Sequence, residues 1–234
     1  MARQLAFDLP AKTALGREDF FVSDANRHAV GMLENWQACH AAQAGWPGGK
    51  LILHGPEGCG KTHLAHVWAA ESGARIVAAE TLSGNGLDTL ATGPVAIEDA
   101  DRIAGDLARE TLLFHLHNLM QTNASPLLIT ARRPAARWPL ALPDLASRMQ
   151  GTLQVAIAPP DDRLLAAMLV KLFADRQVAV RPRLIEYLLH RIERSFAAAR
   201  RVVAELDAAA LTEGRPITLP LAAQVLDKDN ANGA

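Results

Sequence analysis

Apolar and polar positions alternate along the chain with two different periods. Short apolar runs at 51–54, 75–79, 94–98 and 127–130 are typical of buried strands. Between them lie segments with helical spacing of apolar residues, which predict helices at 26–42, 61–71 and 107–121. Strands that alternate with helices favour a mostly parallel sheet covered on both faces. The sequence therefore predicts an α/β domain.

The pattern changes at Pro159-Pro160. Beyond this pair the chain has helical periodicity, with predicted helices at 161–176, 182–193, 196–212 and 219–227. The change predicts a second, all-helical domain. The expected organisation is a tail at 1–20, an α/β domain at 21–159, a helical domain at 160–228 and a tail at 229–234.

Composition restricts the class of protein further. The chain has 234 residues, 50% of them hydrophobic, and a formal net charge of -1. It has no apolar run of membrane-spanning length, and its N-terminus lacks the apolar stretch of a secretory signal. Cys39 and Cys59 cannot form a disulfide framework. We therefore expect a cytoplasmic protein without strong direct binding to DNA.

A phosphate-binding loop lies between the first predicted strand and the helix that follows it. The sequence there is Gly55-Pro56-Glu57-Gly58-Cys59-Gly60-Lys61-Thr62, which satisfies G-x-x-x-x-G-K-[ST]. Glycines let the backbone N–H groups converge on phosphate oxygens, and the helix directs its positive end at the same anion. Lys61 is therefore expected at the β- and γ-phosphates, and Thr62 at Mg²⁺. His63 follows directly and is included among the nucleotide-binding residues.

Two carboxylates lie where the predicted strand at 94–98 ends: Glu98 is its last residue, and Asp99 follows directly. The carboxyl edge of a parallel sheet is where ligands bind in such folds. We expect Glu98 to hold Mg²⁺ together with Thr62, and both acids to serve hydrolysis. P-loop ATPases usually carry aspartate at the first position, so the longer Glu98 side chain favours nucleotide binding over fast turnover. The alternative is a plain acidic turn.

These motifs resemble the DnaA-like AAA+ family over roughly residues 17–228, and most closely its shortened, Hda-type regulatory members. The resemblance implies a P-loop AAA+ core with a helical lid, and bound ADP or ATP with Mg²⁺. It also implies that Asn26 lies near the adenine; N-capping of a helix by Asp24 or Asn26 is the alternative.

The resemblance extends to three further polar positions. Thr130 matches the sensor-1 position, but Arg132 stands where the family has an acid, which implies weak intrinsic hydrolysis. Arg148, in Leu142–Met149, matches an arginine finger that enters the nucleotide site of a neighbouring subunit; a surface ion pair is the alternative. Arg200 matches the sensor-2 arginine, although Arg201 also remains a candidate.

The N-terminal tail contains Gln4-Leu5-Ala6-Phe7-Asp8-Leu9. This run resembles the short motifs that bind the replicative sliding clamp, the β subunit of DNA polymerase III. Gln4 offers both a donor and an acceptor, while Leu5, Phe7 and Leu9 supply apolar anchors for a pocket. The alternative is a tail strand that packs on its own domain. No basic helix pair follows residue 228 to enter a DNA groove.

The resemblance implies a negative regulator of chromosomal replication initiation. Tethered to the clamp, the protein would present Arg148 to ATP held by the initiator DnaA and promote its hydrolysis. One alternative is a self-sufficient ATPase such as a helicase loader. Another is an adaptor whose nucleotide only stabilises the fold, and a homo-oligomer is compatible with each of these functions.

Overall fold

The computed structural model describes residues 22–37 and 46–232 of the chain. In this part five strands form one parallel sheet in the order β2-β3-β4-β1-β5. They are β1 (Lys50–His54), β2 (Arg75–Ala78), β3 (Val95–Glu98), β4 (Leu127–Ala131) and β5 (Leu153–Ala156). The first four confirm the predicted strands to within one residue at either end. The fifth was not predicted.

Helices flank the sheet, and the helices that follow β5 in the sequence form a separate helical part. Those of the α/β part are α1 (Arg27–Glu34), α2 (Lys61–Ser72), α3 (Leu87–Leu90), α4 (Leu107–Thr122) and α5 (Pro143–Gly151). Those of the helical part are α6 (Asp162–Asp175), α7 (Pro182–Leu189), α8 (Phe196–Glu213) and α9 (Leu219–Asn232). The prediction of an α/β core followed by a helical lid is confirmed. The predicted helix at 26–42 ends earlier, at Glu34, and its final part lies outside the described residues.

The strands place alternate residues in two different cores, because successive side chains of a strand point to opposite faces. Ile52, Ile97 and Ile129 pack with α4 and α5 on one face. Leu51, Leu53 and Leu128 pack with α1 and α2 on the other, around Trp46 and Trp68. Full burial of one such side chain stabilises the fold by about 1.5–3 kcal/mol. The sheet is therefore fixed from both sides, and its strand ends become rigid supports for polar groups.

The four lid helices enclose a third core of their own. Phe173 of α6 is fully buried there, packed with Leu188 of α7 and Leu206 of α8. None of the helices in the described ranges is both long and apolar enough to cross a bilayer.

Candidate functional site

The phosphate loop leaves the sheet between β4 and β5, because β1 lies between these two strands. Gly58 and Gly60 have φ angles of 72° and 103°, in the left-handed region that glycine adopts at little cost. Gly60 is the N-cap residue of α2 and supplies no side chain to cap the helix. No cap side chain therefore covers the N-terminal end of α2, where the sequence predicts that an anion binds.

Lys61 lies inside this loop and is 7% exposed. Its ammonium Nζ donates to the carbonyl oxygens of Gly55 and Pro56, both at 2.8 Å. It also lies 3.8 Å from Cys59 Sγ. Thr62, the next residue, is exposed. A cation held by neutral carbonyls at the start of a helix could bind a phosphate without first breaking an ion pair.

Glu98 ends β3, and the main chain of Asp99, the next residue, contacts Thr130 of the neighbouring strand β4. The Asp99 N–H donates to Thr130 Oγ1 over 3.1 Å, and Thr130 is 1% exposed. The Asp99 carboxylate pairs with Arg102, whose Nε lies 3.2 Å from Oδ2. Glu98 Oε1 is buried and has no hydrogen-bond partner within the described residues. A buried carboxylate oxygen without a donor is costly, so a cation fits this position.

The lid contacts the phosphate loop directly. The Phe196 N–H, at the start of α8, donates to the Gly58 carbonyl oxygen over 2.9 Å. A Cβ atom on Gly58 would lie 2.9 Å from Ser195 Cβ, so glycine is needed for this close approach. Arg200 lies one turn further along α8 and has no ion-pair partner among the described residues, whereas Arg201 pairs with Glu205 at 3.9 Å. This difference supports Arg200 as the candidate for phosphate contact.

Asn26 occupies the N-cap position of α1 but makes no side-chain hydrogen bond to the helix. Its Oδ1 accepts from the Ser23 N–H instead, at 2.9 Å, and the residue is 2% exposed. The alternative of side-chain capping by Asn26 is therefore wrong. The Ala25 carbonyl accepts from the Ala158 N–H at 3.1 Å. The segment thus lies beside the connection between the α/β part and the lid; its nearness to the adenine stays a prediction.

Arg148 lies in the last turn of α5, far from the phosphate loop of its own chain. Its charge acts on Lys50, the first residue of β1, whereas the loop follows the last residue of that strand. A strand rises about 3.3 Å per residue, so the two features occupy opposite edges of the sheet. Arg148 is exposed, and no carboxylate among the described residues pairs with it. Arg133 and Arg137 are also exposed, and neither has a carboxylate partner among the described residues.

A buried polar cluster beneath Arg148 was not predicted. Lys50 is 5% exposed, and its Nζ lies 3.3 Å from His117 Nδ1 and 3.2 Å from Gln121 Oε1. Burial, and secondly the charge of Arg148, lower the pKa of Lys50 from 10.5 to about 8. Burial, then Lys50 and Arg148, lower the pKa of His117 to about 4. The sequence offered only a lysine at the start of a strand as a signal.

Lys50 destabilises the fold at neutral pH, because a lowered pKa means that folding disfavours the charged form. This penalty is complete below pH 8 and disappears as the pH rises through 8 to 10.5. We expect Lys50→Met to raise the free energy of unfolding at pH 7 by about 1–2 kcal/mol, after discounting for partial hydration. Chemical denaturation between pH 7 and 10.5 measures this effect.

The conservative variant Lys50→Arg provides the control for this prediction. Arginine keeps its charge over the whole range, so its stability is expected not to recover at high pH. A wild-type protein whose stability does not rise between pH 8 and 10.5 relative to Lys50→Arg would contradict the assignment.

Glu110 of α4 is a second buried polar residue that was not predicted. It is 0% exposed, and its carboxylate accepts three backbone N–H groups. The donors are Gly105 at 2.7 Å, Ala141 at 3.0 Å and Leu142 at 2.7 Å. Leu142 is the N-cap residue of α5. Glu110 therefore fixes the start of the helix that carries Arg148.

The clamp-like run that contains Gln4, Leu5, Phe7 and Leu9 lies outside the described residues. Its role remains a sequence-based prediction.

Family models match both parts of the chain. The model for the AAA domain, the ATPase family associated with various cellular activities, matches residues 51–155. The model for the Hda lid domain matches residues 162–226. Pro159-Pro160 lies between the two matches, which together extend from β1 into α9.

Solved structures resemble the whole arrangement. Domain III of the replication initiation protein DnaA from Thermotoga maritima has a TM-score of 0.79 and 18% identity, covering 94% of this chain and 98% of that chain. AMPPCP-bound DnaA from Aquifex aeolicus has a TM-score of 0.69 and 16% identity, and the match covers 83% of this chain and 65% of that chain. The RuvB Holliday junction branch migration motor of T. maritima has a TM-score of 0.68 and 18% identity, and the match covers 88% of this chain and 70% of that chain. At these identities the likeness shows a shared fold.

Proposed function

Because the chain joins an AAA domain to an Hda-type lid, and is thus a DnaA-like AAA+ protein, we propose that it is a nucleotide-binding negative regulator of chromosomal replication initiation. In this function it presents Arg148 to ATP that the initiator DnaA holds, and promotes the hydrolysis of that ATP. Its own nucleotide, ADP or ATP, joins the α/β part to the lid.

The observation that carries this proposal is the position of Arg148. An exposed arginine that has no carboxylate partner in the described part of the chain, and that lies at the sheet edge opposite its own phosphate loop, can serve another subunit. The planar, permanently charged guanidinium stabilises charge that develops on a transferring phosphoryl group.

The chain's own phosphate loop supports nucleotide binding. Lys61 would neutralise phosphate charge, and Thr62 with Glu98 would hold Mg²⁺, which shields the phosphates when it is bound. Pro56, Cys59 and His63 complete the loop and the first turn of α2. AMPPCP is bound in the structurally similar DnaA of A. aeolicus, which supports the same class of ligand here. Arg200 would report the bound phosphate to the lid.

The experiment that tests the function measures ATP hydrolysis by the cognate DnaA, with DNA-loaded sliding clamp, in the presence and absence of this protein. Acceleration that disappears with Arg148→Ala supports the proposal. Rapid hydrolysis by this protein alone, abolished by Lys61→Ala, would favour the helicase-loader alternative instead.

The N-terminal run is proposed to tether the protein to the clamp. We expect the triple variant Gln4→Ala/Leu5→Ala/Phe7→Ala to bind the cognate clamp at least tenfold more weakly than wild type, because apolar anchors dominate such small interfaces. Titration against immobilised clamp measures the change.

The matched control for the tether is Lys12→Ala, outside the motif but in the same tail, which is expected to bind as wild type does. Equal binding by the triple variant and wild type would exclude the tether. If the triple variant alone abolishes regulation while Arg148→Ala does not, the adaptor function is favoured.

A further inference from the structure

Buried contacts hold the main chain of the helix that carries Arg148. Leu145 and Met149 of α5 are fully buried and share a core with Met120 of α4. The Arg148 carbonyl oxygen accepts from Thr152 Oγ1 over 2.8 Å, and Thr152 lies directly before β5. The side chain of Arg148 is therefore the part that can turn, either toward solvent or back onto the protein surface.

Two polar groups of α4 lie near this side chain, and Lys50 contacts both of them. Lys50 Nζ lies 3.2 Å from Gln121 Oε1 and 3.3 Å from His117 Nδ1. An ammonium group has donors only, so both atoms act as acceptors. The charge of Arg148 lowers the pKa of His117 as well as that of Lys50, so the cluster lies within electrostatic range of the guanidinium. Lys50 thus occupies acceptors that an inward-turned Arg148 would use.

The Lys50 ammonium also has no carboxylate partner among the residues that the structure describes. From α5 the charge of Arg148 acts on it, and two like charges repel. From α4 it is faced by Gln121, which has no charge, and by His117, which is neutral near pH 7 because burial, then Lys50 and Arg148, lower its pKa to about 4. β4 places the apolar Leu127 beside it. These neighbours therefore leave the charge of Lys50 unneutralised.

We propose that Lys50 is a positioning residue for Arg148. Its ammonium group occupies the acceptors on α4 and repels the guanidinium, so that Arg148 extends into solvent, toward ATP that DnaA holds. Without this charge the guanidinium turns back onto His117 and Gln121 for part of the time. The inference rests on the proposed function and deepens it, because it names the group that sets the orientation of the arginine.

The stimulation of DnaA then depends on pH. Burial, and secondly Arg148, lower the pKa of Lys50 to about 8, so its charge is lost as the pH rises from 7 to 9. Arg148 keeps its charge over this range. The fold becomes more stable as Lys50 loses its charge, because folding disfavours the charged form. A role of Lys50 in stability alone would therefore not lower the stimulation as the pH rises.

The test measures single-turnover ATP hydrolysis by the cognate DnaA, with DNA-loaded clamp and the full chain, between pH 7 and 9. Lys50→Met is expected to stimulate about threefold less than wild type at pH 7, the effect of a like charge acting through partly hydrated space. Wild type is expected to fall to the level of Lys50→Met at pH 9. Lys50→Arg keeps its charge throughout, so division by its rate at each pH removes the pH dependence of DnaA itself.

The matched control is Lys171→Met, which removes a lysine of α6 in the lid. It is expected to follow the wild-type pH profile. Circular dichroism at the assay temperature verifies that each variant is folded. If Lys50→Arg does not fold, the ratio of wild type to Lys50→Met gives the same comparison, with an expected fall from about threefold to about one.

The outcomes separate this inference from the proposed function. If wild type stimulates DnaA with a constant ratio to Lys50→Arg and to Lys50→Met from pH 7 to 9, Lys50 does not position Arg148 and the proposed function stands. Stimulation by Lys50→Met equal to that of wild type at pH 7, or the same change of profile in Lys171→Met, would also overturn the inference. If wild type does not stimulate DnaA at any pH, the proposed function is wrong and the inference with it.

Discussion

Arg148→Ala is expected to reduce the stimulation of DnaA ATP hydrolysis by about a thousandfold, to the rate of the initiator alone. An arginine finger supplied by a neighbouring subunit accelerates phosphoryl transfer by roughly 10³–10⁵-fold, because its charge is placed where negative charge develops. Single-turnover hydrolysis of ATP pre-bound to DnaA, with DNA-loaded clamp, measures the change directly.

Two further variants make the Arg148 result specific. Arg148→Lys keeps the charge but loses the planar, bidentate donor geometry, so it is expected to recover only a small part of the rate. Arg183→Ala removes an exposed arginine of α7, in the lid, and is expected to leave the rate unchanged. Stimulation by Arg148→Ala equal to that of wild type would contradict the proposed function.

Features encoded by neighbouring residues were predictable from the sequence. The phosphate loop, the strand before it and α2 after it have a complete local signal, because the glycines and the start of the helix lie within eight positions of one another. The polarity of parallel strands also predicts that Glu98 and Thr130 lie at the same edge of the sheet, the one where the strands end. The Asp99–Thr130 hydrogen bond shows that these two strand ends do meet.

β5 was missed because it has few of the usual strand features. It is four residues long, lies at the edge of the sheet next to β1, and buries only Val155 fully. A short, half-exposed edge strand has no continuous apolar run, so its periodicity does not stand out from a loop. Its position depends on pairing with β1, about 100 residues earlier in the chain.

The buried polar contacts were unpredictable for the same reason. Lys50 and His117 are 67 positions apart, and Glu110 and Ala141 are 31 positions apart. Sequence periodicity indicates which face of an element is buried, but not which polar side chain will find a partner there.

Glu110→Ala is expected to lower the free energy of unfolding by about 3–5 kcal/mol. The change leaves three buried N–H groups without an acceptor, and each unsatisfied donor costs about 1–3 kcal/mol, part of which water in the vacated space recovers. For a chain of this size the thermal midpoint would fall by roughly 10 °C. Differential scanning calorimetry measures it, and Glu186→Ala, an exposed acid of α7, serves as the control.

The variant Glu110→Gln tests whether Glu110 only stabilises the fold or also positions α5, the helix that carries Arg148. Glutamine keeps the shape and one carbonyl oxygen, but its amide group opposes at least one of the three N–H donors. The Leu142 end of α5 would then be held less firmly, while the rest of the fold keeps its packing. We expect the folded Glu110→Gln protein to stimulate DnaA several-fold less than wild type at a temperature where both are native. If Glu110→Gln stimulates DnaA as fully as wild type, Glu110 has a role in stability only. If the free energy of unfolding of Glu110→Ala lies within about 1 kcal/mol of wild type, the assignment of three buried hydrogen bonds to Glu110 is wrong.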